Sequence, residues 1–157
     1  MAYQKIIYEQ LKEHLYALYG VTYEDHDSLQ THTILNFRAI SLTLFHTAIN
    51  RYRSRYGNYV GLTDSEIISH LLYEEAGEII PDLNHISLSL VMKILEPSLL
   101  DALPNTDPQF QKSSEKMYEL FEKLLQEAPQ AYSRLPVLRE LKWDDLPNEL
   151  FSLTQDS

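Results

Sequence analysis

The densest group of residues able to hold a metal ion or move a proton lies between positions 70 and 85. It reads His70-Leu-Leu-Tyr-Glu74-Glu75-Ala-Gly-Glu78, followed by Asp82 and His85. On a helix, His70 and Glu74 stand one turn apart, and so do Glu74 and Glu78. Carboxylates at that spacing can share Mg²⁺ or Mn²⁺, hard cations that want several oxygens on one face. The chemistry that would follow is hydrolysis of a phosphorylated nucleotide. Glu74, Glu75, Glu78 and Asp82 would hold the metal, the metal would polarise a phosphoryl oxygen, and His70 would act as general base on water. A solvated acidic helix end accounts for the same residues without any metal, and the sequence favours that simpler reading.

The fragment Glu74-Glu75-x-x-Glu78 resembles half of the acidic signature of the helical nucleotide pyrophosphohydrolases. That family carries a second acidic pair, Glu-x-x-Asp, on a following helix. Glu96, Asp101, Asp144 and Asp145 do not offer that spacing here, and Gly77 weakens a helix inside the fragment. The resemblance thus implies a Mg²⁺- or Mn²⁺-dependent hydrolase whose ligand set this sequence leaves incomplete. Other chemistries fare worse. A di-iron bundle needs paired Glu-x-x-His motifs, and Asp82-Leu-Asn-His85, in an expected loop, is the nearest approach. There is no cysteine and no Gly-x-Ser-x-Gly elbow, and four glycines cannot build a classical nucleotide fold. The six histidines are scattered over the first 85 residues; His26, between Asp25 and Asp27, favours its charged form and hints at pH sensitivity.

Two further features concern binding. Arg51-Tyr-Arg53-Ser-Arg55-Tyr56-Gly-Asn-Tyr59 places Arg51 and Arg55 on one helix face and Arg53 on another. Arginines with tyrosines suit phosphates and unpaired bases, but cations at a helix C-terminus also complement its dipole. Of the eleven tyrosines, five crowd the N-terminus (Tyr3, Tyr8, Tyr16, Tyr19 and Tyr23) and three the end of the second helix (Tyr52, Tyr56 and Tyr59). A tyrosine joins a large rigid apolar body to a polar tip, so such clusters suit protein interfaces as well as a core rim. The expected partner-binding face consists of Tyr8, Tyr16, Tyr19, Tyr52, Tyr56 and Tyr59 with Arg51 and Arg55.

The elements that must position these residues are helices. Ile7, Leu11, His14 or Leu15, and Leu18 form a stripe over positions 2–19, and Gly20 stops it. Ser28 is placed to cap a long helix over 29–56 whose apolar residues cover more than one face, which makes it central. Thr63-Asp64-Ser65-Glu66 is a capping box that starts a third helix at Asp64. Ser87 caps a fourth, which Pro97 is expected to stop, leaving a turn over 98–103. Asp107-Pro108 opens a fifth, running to position 128 with Phe110, Met117, Leu120, Phe121, Leu124 and Leu125 inward. Pro129, Pro136 and Pro147 divide the tail into short helical pieces. No segment alternates like a strand. The expectation is one all-α domain, a bundle of about five main helices.

At 157 residues and 44% apolar, the chain can bury a full core. Charged residues interrupt the first twenty positions, so no signal peptide is expected, and the cytoplasm is the expected compartment. The net charge of −10 is uneven. Positions 1–60 hold six Lys/Arg against five Asp/Glu, a net of +1; positions 61–157 hold seven against eighteen, a net of −11. This acidic balance argues against nucleic acid and anionic membrane and favours a basic partner. The leading expectation is a small acidic accessory protein, adaptor, subunit or inhibitor, that binds a protein or itself and needs no cofactor. The metal-dependent hydrolase is its alternative, with a nucleic-acid module through Arg51 to Arg55 behind it.

Overall fold

The structure, a computed structural model, describes residues 2–22, 29–56, 61–80, 82–127 and 139–153. Six α-helices carry the fold: α1 (Tyr3–Tyr19), α2 (Leu29–Tyr56), α3 (Asp64–Ala76), α4 (Leu88–Ile94), α5 (Glu96–Ala102) and α6 (Pro108–Glu127). Short 3₁₀ turns occur at Leu83–His85, Leu103–Asn105 and Trp143–Asp145. No strand occurs among the described residues, so the all-α class holds. None of the helices is long and apolar enough, among the described residues, to cross a membrane.

The chain forms two compact units, and neither is a contiguous stretch. Unit 1 comprises Met1–Thr43 and Pro104–Arg139; unit 2 comprises Leu44–Leu103 and Glu140–Ser157. Helix α2 contributes to both. Its residues 42–49 are all buried, and a buried run of more than two turns leaves no solvent face. The central role expected of this helix is therefore seen.

In unit 1 the α1 stripe of Ile7, Leu11 and Leu15 is buried, as periodicity requires. Gly20 ends α1 at φ 67°, with the Val21 N–H reaching the Tyr16 carbonyl at 2.9 Å, the six-to-one bond of a Schellman stop. The start of α1 is less conventional. Ala2 offers no side-chain cap, so the orphan N–H of Lys5 donates to Asp107 Oδ2 at 3.0 Å. Asp107 Oδ1 meanwhile caps α6 by accepting the Phe110 N–H at 2.7 Å. One carboxylate serves two helix N-termini. Along α6, Phe110 and Ser114 are buried and Phe121 stacks on Phe37 at 4.5 Å. Leu120, expected inward, is exposed; Tyr118 takes the inner position, edge-on to Phe37 at 5.2 Å. Leu124 and Leu125 lie outside the described side chains, as Ser28, Pro129 and Pro136 lie outside the described residues.

In unit 2 the capping box at α3 forms as expected: Thr63 Oγ1 accepts the Glu66 N–H at 3.2 Å, and Glu66 Oε1 accepts the Thr63 N–H at 3.3 Å. Helix α4 ends at Ile94, ahead of Pro97 as expected, but Pro97 itself sits in the first turn of α5, where its missing N–H has no partner to lose. The expected turn over 98–103 is instead mostly helix, and Leu99 and Ala102 are buried from it. Leu146 and Phe151 complete the core of this unit.

Two stability outcomes follow. Asp107→Ala strips two helix starts at once and is expected to cost about 2 kcal/mol in urea unfolding. Ser114 Oγ is buried with no hydrogen-bond partner among the described residues, so Ser114→Ala is expected to gain about 1 kcal/mol in the same assay.

Candidate functional site

Two groups of residues singled out by the sequence meet in unit 2. Arg51, Tyr52 and Arg55 from the end of α2 face Glu74 from α3 across a groove of about 190 Å³. Ala48 and Leu71 line the groove too, as do Ser98 and Asp101 of α5. Beside the groove the Tyr52 hydroxyl lies 2.9 Å from His70 Nδ1, with the rings edge-on at 5.7 Å. Burial raises the Tyr52 pKa, and the Glu74 carboxylate and Tyr56 add to the shift. The phenol therefore stays protonated at neutral pH.

The rim of this groove is aromatic. Tyr56 packs 4.7 Å from Tyr52 and is 43% exposed, and the Arg55 guanidinium lies 5.9 Å over its ring. Tyr73 is 55% exposed, and helical spacing puts His70, Tyr73 and Glu74 on one face of α3. Arg51 reaches the Asp101 carbonyl only at a long 3.4 Å. Among the described residues, neither Arg51 nor Arg55 forms an ion pair with Glu74 or Asp101. A groove with unpaired charges of both signs and an aromatic rim can take a polypeptide segment.

The metal cluster is not assembled. Helix α3 ends at Ala76, and Gly77 turns left-handed at φ 70°, so Glu78 does not continue the helical face of Glu74. Glu75 accepts a hydrogen bond from the Ser98 hydroxyl. Asp82 caps the 3₁₀ turn through the Asn84 N–H at 2.9 Å and pairs with His85 at 3.6 Å. Among the described residues, no three His, Asp or Glu side chains are grouped to hold a metal ion. The Mg²⁺ or Mn²⁺ site of Glu74, Glu75, Glu78 and Asp82 loses its ligand set, because a glycine breaks the helix that would have aligned it.

The tyrosine face is also smaller than the sequence suggested. Tyr8 and Tyr16 are each only 4% exposed. The Tyr8 hydroxyl donates to Asn36 Oδ1 at 3.0 Å. Tyr16 accepts from Asn36 Nδ2 at 3.3 Å and meets His32 Nδ1 at 2.8 Å. Both serve the core of unit 1, where a buried phenol needs a partner for its hydroxyl. Tyr19 is half-buried and donates to the Arg139 carbonyl at 2.8 Å, with Arg38 donating to its oxygen. Tyr59 and His26 lie outside the described residues.

Sequence reasoning missed one constellation. Arg53, turned away from Arg51 and Arg55, pairs with the buried Asp64 carboxylate at the start of α3. Asp64 Oδ2 also accepts the Ser152 N–H at 2.6 Å. Nearby, Asn50 donates to His46 Nδ1 at 3.2 Å and accepts from Arg53 Nη1 at 3.0 Å. The i, i+4 and i+7 spacing of His46, Asn50 and Arg53 was the trace of this cluster in the sequence. A second hollow, about 410 Å³, borders Trp143, whose indole N–H donates to the Ile86 carbonyl at 2.9 Å.

Removing Arg53 would strand a buried carboxylate, whereas Arg55 is exposed. Arg53→Ala is expected to cost about 3 kcal/mol in denaturant unfolding, and Arg55→Ala less than about 0.5 kcal/mol. No protein-family model, curated protein or solved structure matches the chain, so its function is read from this geometry.

Proposed function

We propose that the chain is a non-enzymatic accessory protein, an adaptor, subunit or inhibitor, that docks a protein partner on the groove end of unit 2. The observation that carries this reading is the groove lined by Arg51, Tyr52, Arg55, Glu74 and Asp101, with Tyr56 and Tyr73 exposed on the two helices that supply most of that lining. Exposed tyrosines supply contact area with little rotamer entropy to lose, and arginines are the cations that interfaces favour. Unpaired Glu74 and Asp101 select cationic side chains on the partner, and Arg51 and Arg55 orient a carboxylate beside them. The net charge of −10 draws basic partners from a distance. The cytoplasm is the compartment we assign to this role, and a second copy of the chain is the alternative occupant.

Immobilised protein and its Tyr56→Ala/Tyr73→Ala variant are compared for capture from lysate at low and high salt. The wild type is expected to retain a partner that the variant holds at least about tenfold more weakly, since rim tyrosines of this kind contribute about 1 to 2 kcal/mol each. Raising salt should weaken the capture. Equal capture by the two proteins overturns the proposal. So does a wild type that captures nothing and stays monomeric in light scattering.

A further inference from the structure

The charged side chains that line the groove of unit 2 cancel one another. Arg51 and Arg55 stand one turn apart on α2, with Glu74 on α3 and Asp101 on α5. The set carries two positive and two negative charges, a net of zero, in a chain whose formal charge is −10. Among the described residues none of the four forms an ion pair. Arg51 gives only a long bond of 3.4 Å to the Asp101 carbonyl, and the Arg55 guanidinium lies over the Tyr56 ring. A guanidinium offers several N–H donors in a fixed fork, so most of theirs are left for a ligand. Tyr52 adds no charge to the groove. Burial and the Glu74 carboxylate keep its phenol protonated, and its hydroxyl is bonded to His70. Ser98 spends its hydroxyl on Glu75.

Volume and charge together select the occupant. At about 190 Å³ the groove falls below the roughly 300 Å³ from which pockets take a drug-sized ligand. Such a space admits one residue of a polypeptide. A phosphorylated ligand is disfavoured, because a phosphate of charge about −1.5 to −2 would meet the Glu74 and Asp101 carboxylates along with the arginines. An internal lysine or arginine would engage those carboxylates and leave Arg51 and Arg55 unmet. A residue that bears a carboxylate and a cation at once satisfies all four side chains. In a polypeptide, the last residue does so when its side chain is basic. The methylene stem of that side chain needs an apolar bed, and the buried Ala48 and Leu71 supply one.

We propose that the groove captures the C-terminal lysine or arginine of a partner polypeptide. Arg51 and Arg55 hold the terminal carboxylate through charge-assisted bonds, and the side-chain cation reaches Glu74 and Asp101. Tyr56 and Tyr73, exposed on the same two helices, are left for the residues that precede the chain end. The assignment rests on the docking role proposed for this groove and adds the part of the partner that enters it. It also reconciles a carboxylate ligand with an acidic protein, since the basic side chain of the same residue offsets the repulsion.

The probes are an acetylated Gly-Gly-Ser-Gly-Arg peptide with a free C-terminus, the same peptide as its C-terminal amide, and the free acid with alanine in the last place. Each is titrated into the full chain and followed by NMR. The arginine free acid is expected to bind at least about tenfold more tightly than either control, because each control lacks one charge-assisted contact. Its amide shifts should centre on Tyr52, Leu71 and Glu74, and high salt should weaken it. Arg51→Gln/Arg55→Gln should bind acid and amide alike, and Glu74→Gln/Asp101→Asn should bind the arginine and alanine peptides alike. Equal binding of acid and amide by the wild type overturns the proposal, as does no binding at millimolar peptide or shifts confined to another surface. Free arginine that binds as tightly as the peptide overturns it too, since the groove would then take an amino acid in place of a chain end. These outcomes are read on the wild type, so they stand even where a variant fails to fold. Lysate capture that depends on Tyr56 and Tyr73, with no preference for the free-acid peptide, would remove the chain end and leave the docking role in place.

Discussion

A segment folded from two distant pieces of chain must be tied where those pieces meet, and here an aspartate at a helix start makes each tie. In unit 1, Asp107 caps α6 and also takes the Lys5 N–H, 102 residues away. In unit 2, Asp64 stands at the first position of α3 and takes the Ser152 N–H, 88 residues away. In both cases the bond goes from a carboxylate to a backbone donor that helix or tail geometry would leave unmet. A charge-assisted bond to a neutral amide is among the stronger polar contacts a protein can make. Apolar burial supplies the bulk of the driving force, but these two carboxylates fix which pieces close on which.

The same economy of polar groups governs the tyrosines. Those of α1 that point inward are held by Asn36 and His32, so a phenol can enter the core without an orphan hydroxyl. Those at the end of α2 have the apolar body without full cover. Tyr52 sits between the two cases, its hydroxyl bonded to His70 and its ring leaning on Tyr56. What distinguishes the proposed docking end from the core is therefore cover, since the residue type is the same in both.

Much of the fold was legible because it rests on local rules. The Thr63 box, the Gly20 stop, the bounds of α2 and the start of α6 at Pro108 all follow from neighbours within a turn. Proline was misjudged at position 97, where the question was whether a helix ends or begins, and only the burial of Leu99 and Ala102 decides that. The candidate site was half legible. Arg51, Tyr52, Arg55 and Glu74 were each marked, but that they face one another is a fact of packing. Tyr8 and Tyr16 were misplaced because an amphipathic side chain gives no sign of whether a partner such as Asn36 awaits it. The His46, Asn50, Arg53 and Asp64 cluster escaped for the same reason: two helices and the tail meet there, and no single stretch carries all of it.

The Asp107 tie also orders events on the ribosome. The first helix leaves the exit tunnel early, yet the group that completes its opening turn is made 102 residues later. Until then α1 lacks that bond at its start, while Tyr8 and Tyr16 already have Asn36 and His32 of α2 to bond to. Vectorial synthesis thus delivers the lock long after the part it secures.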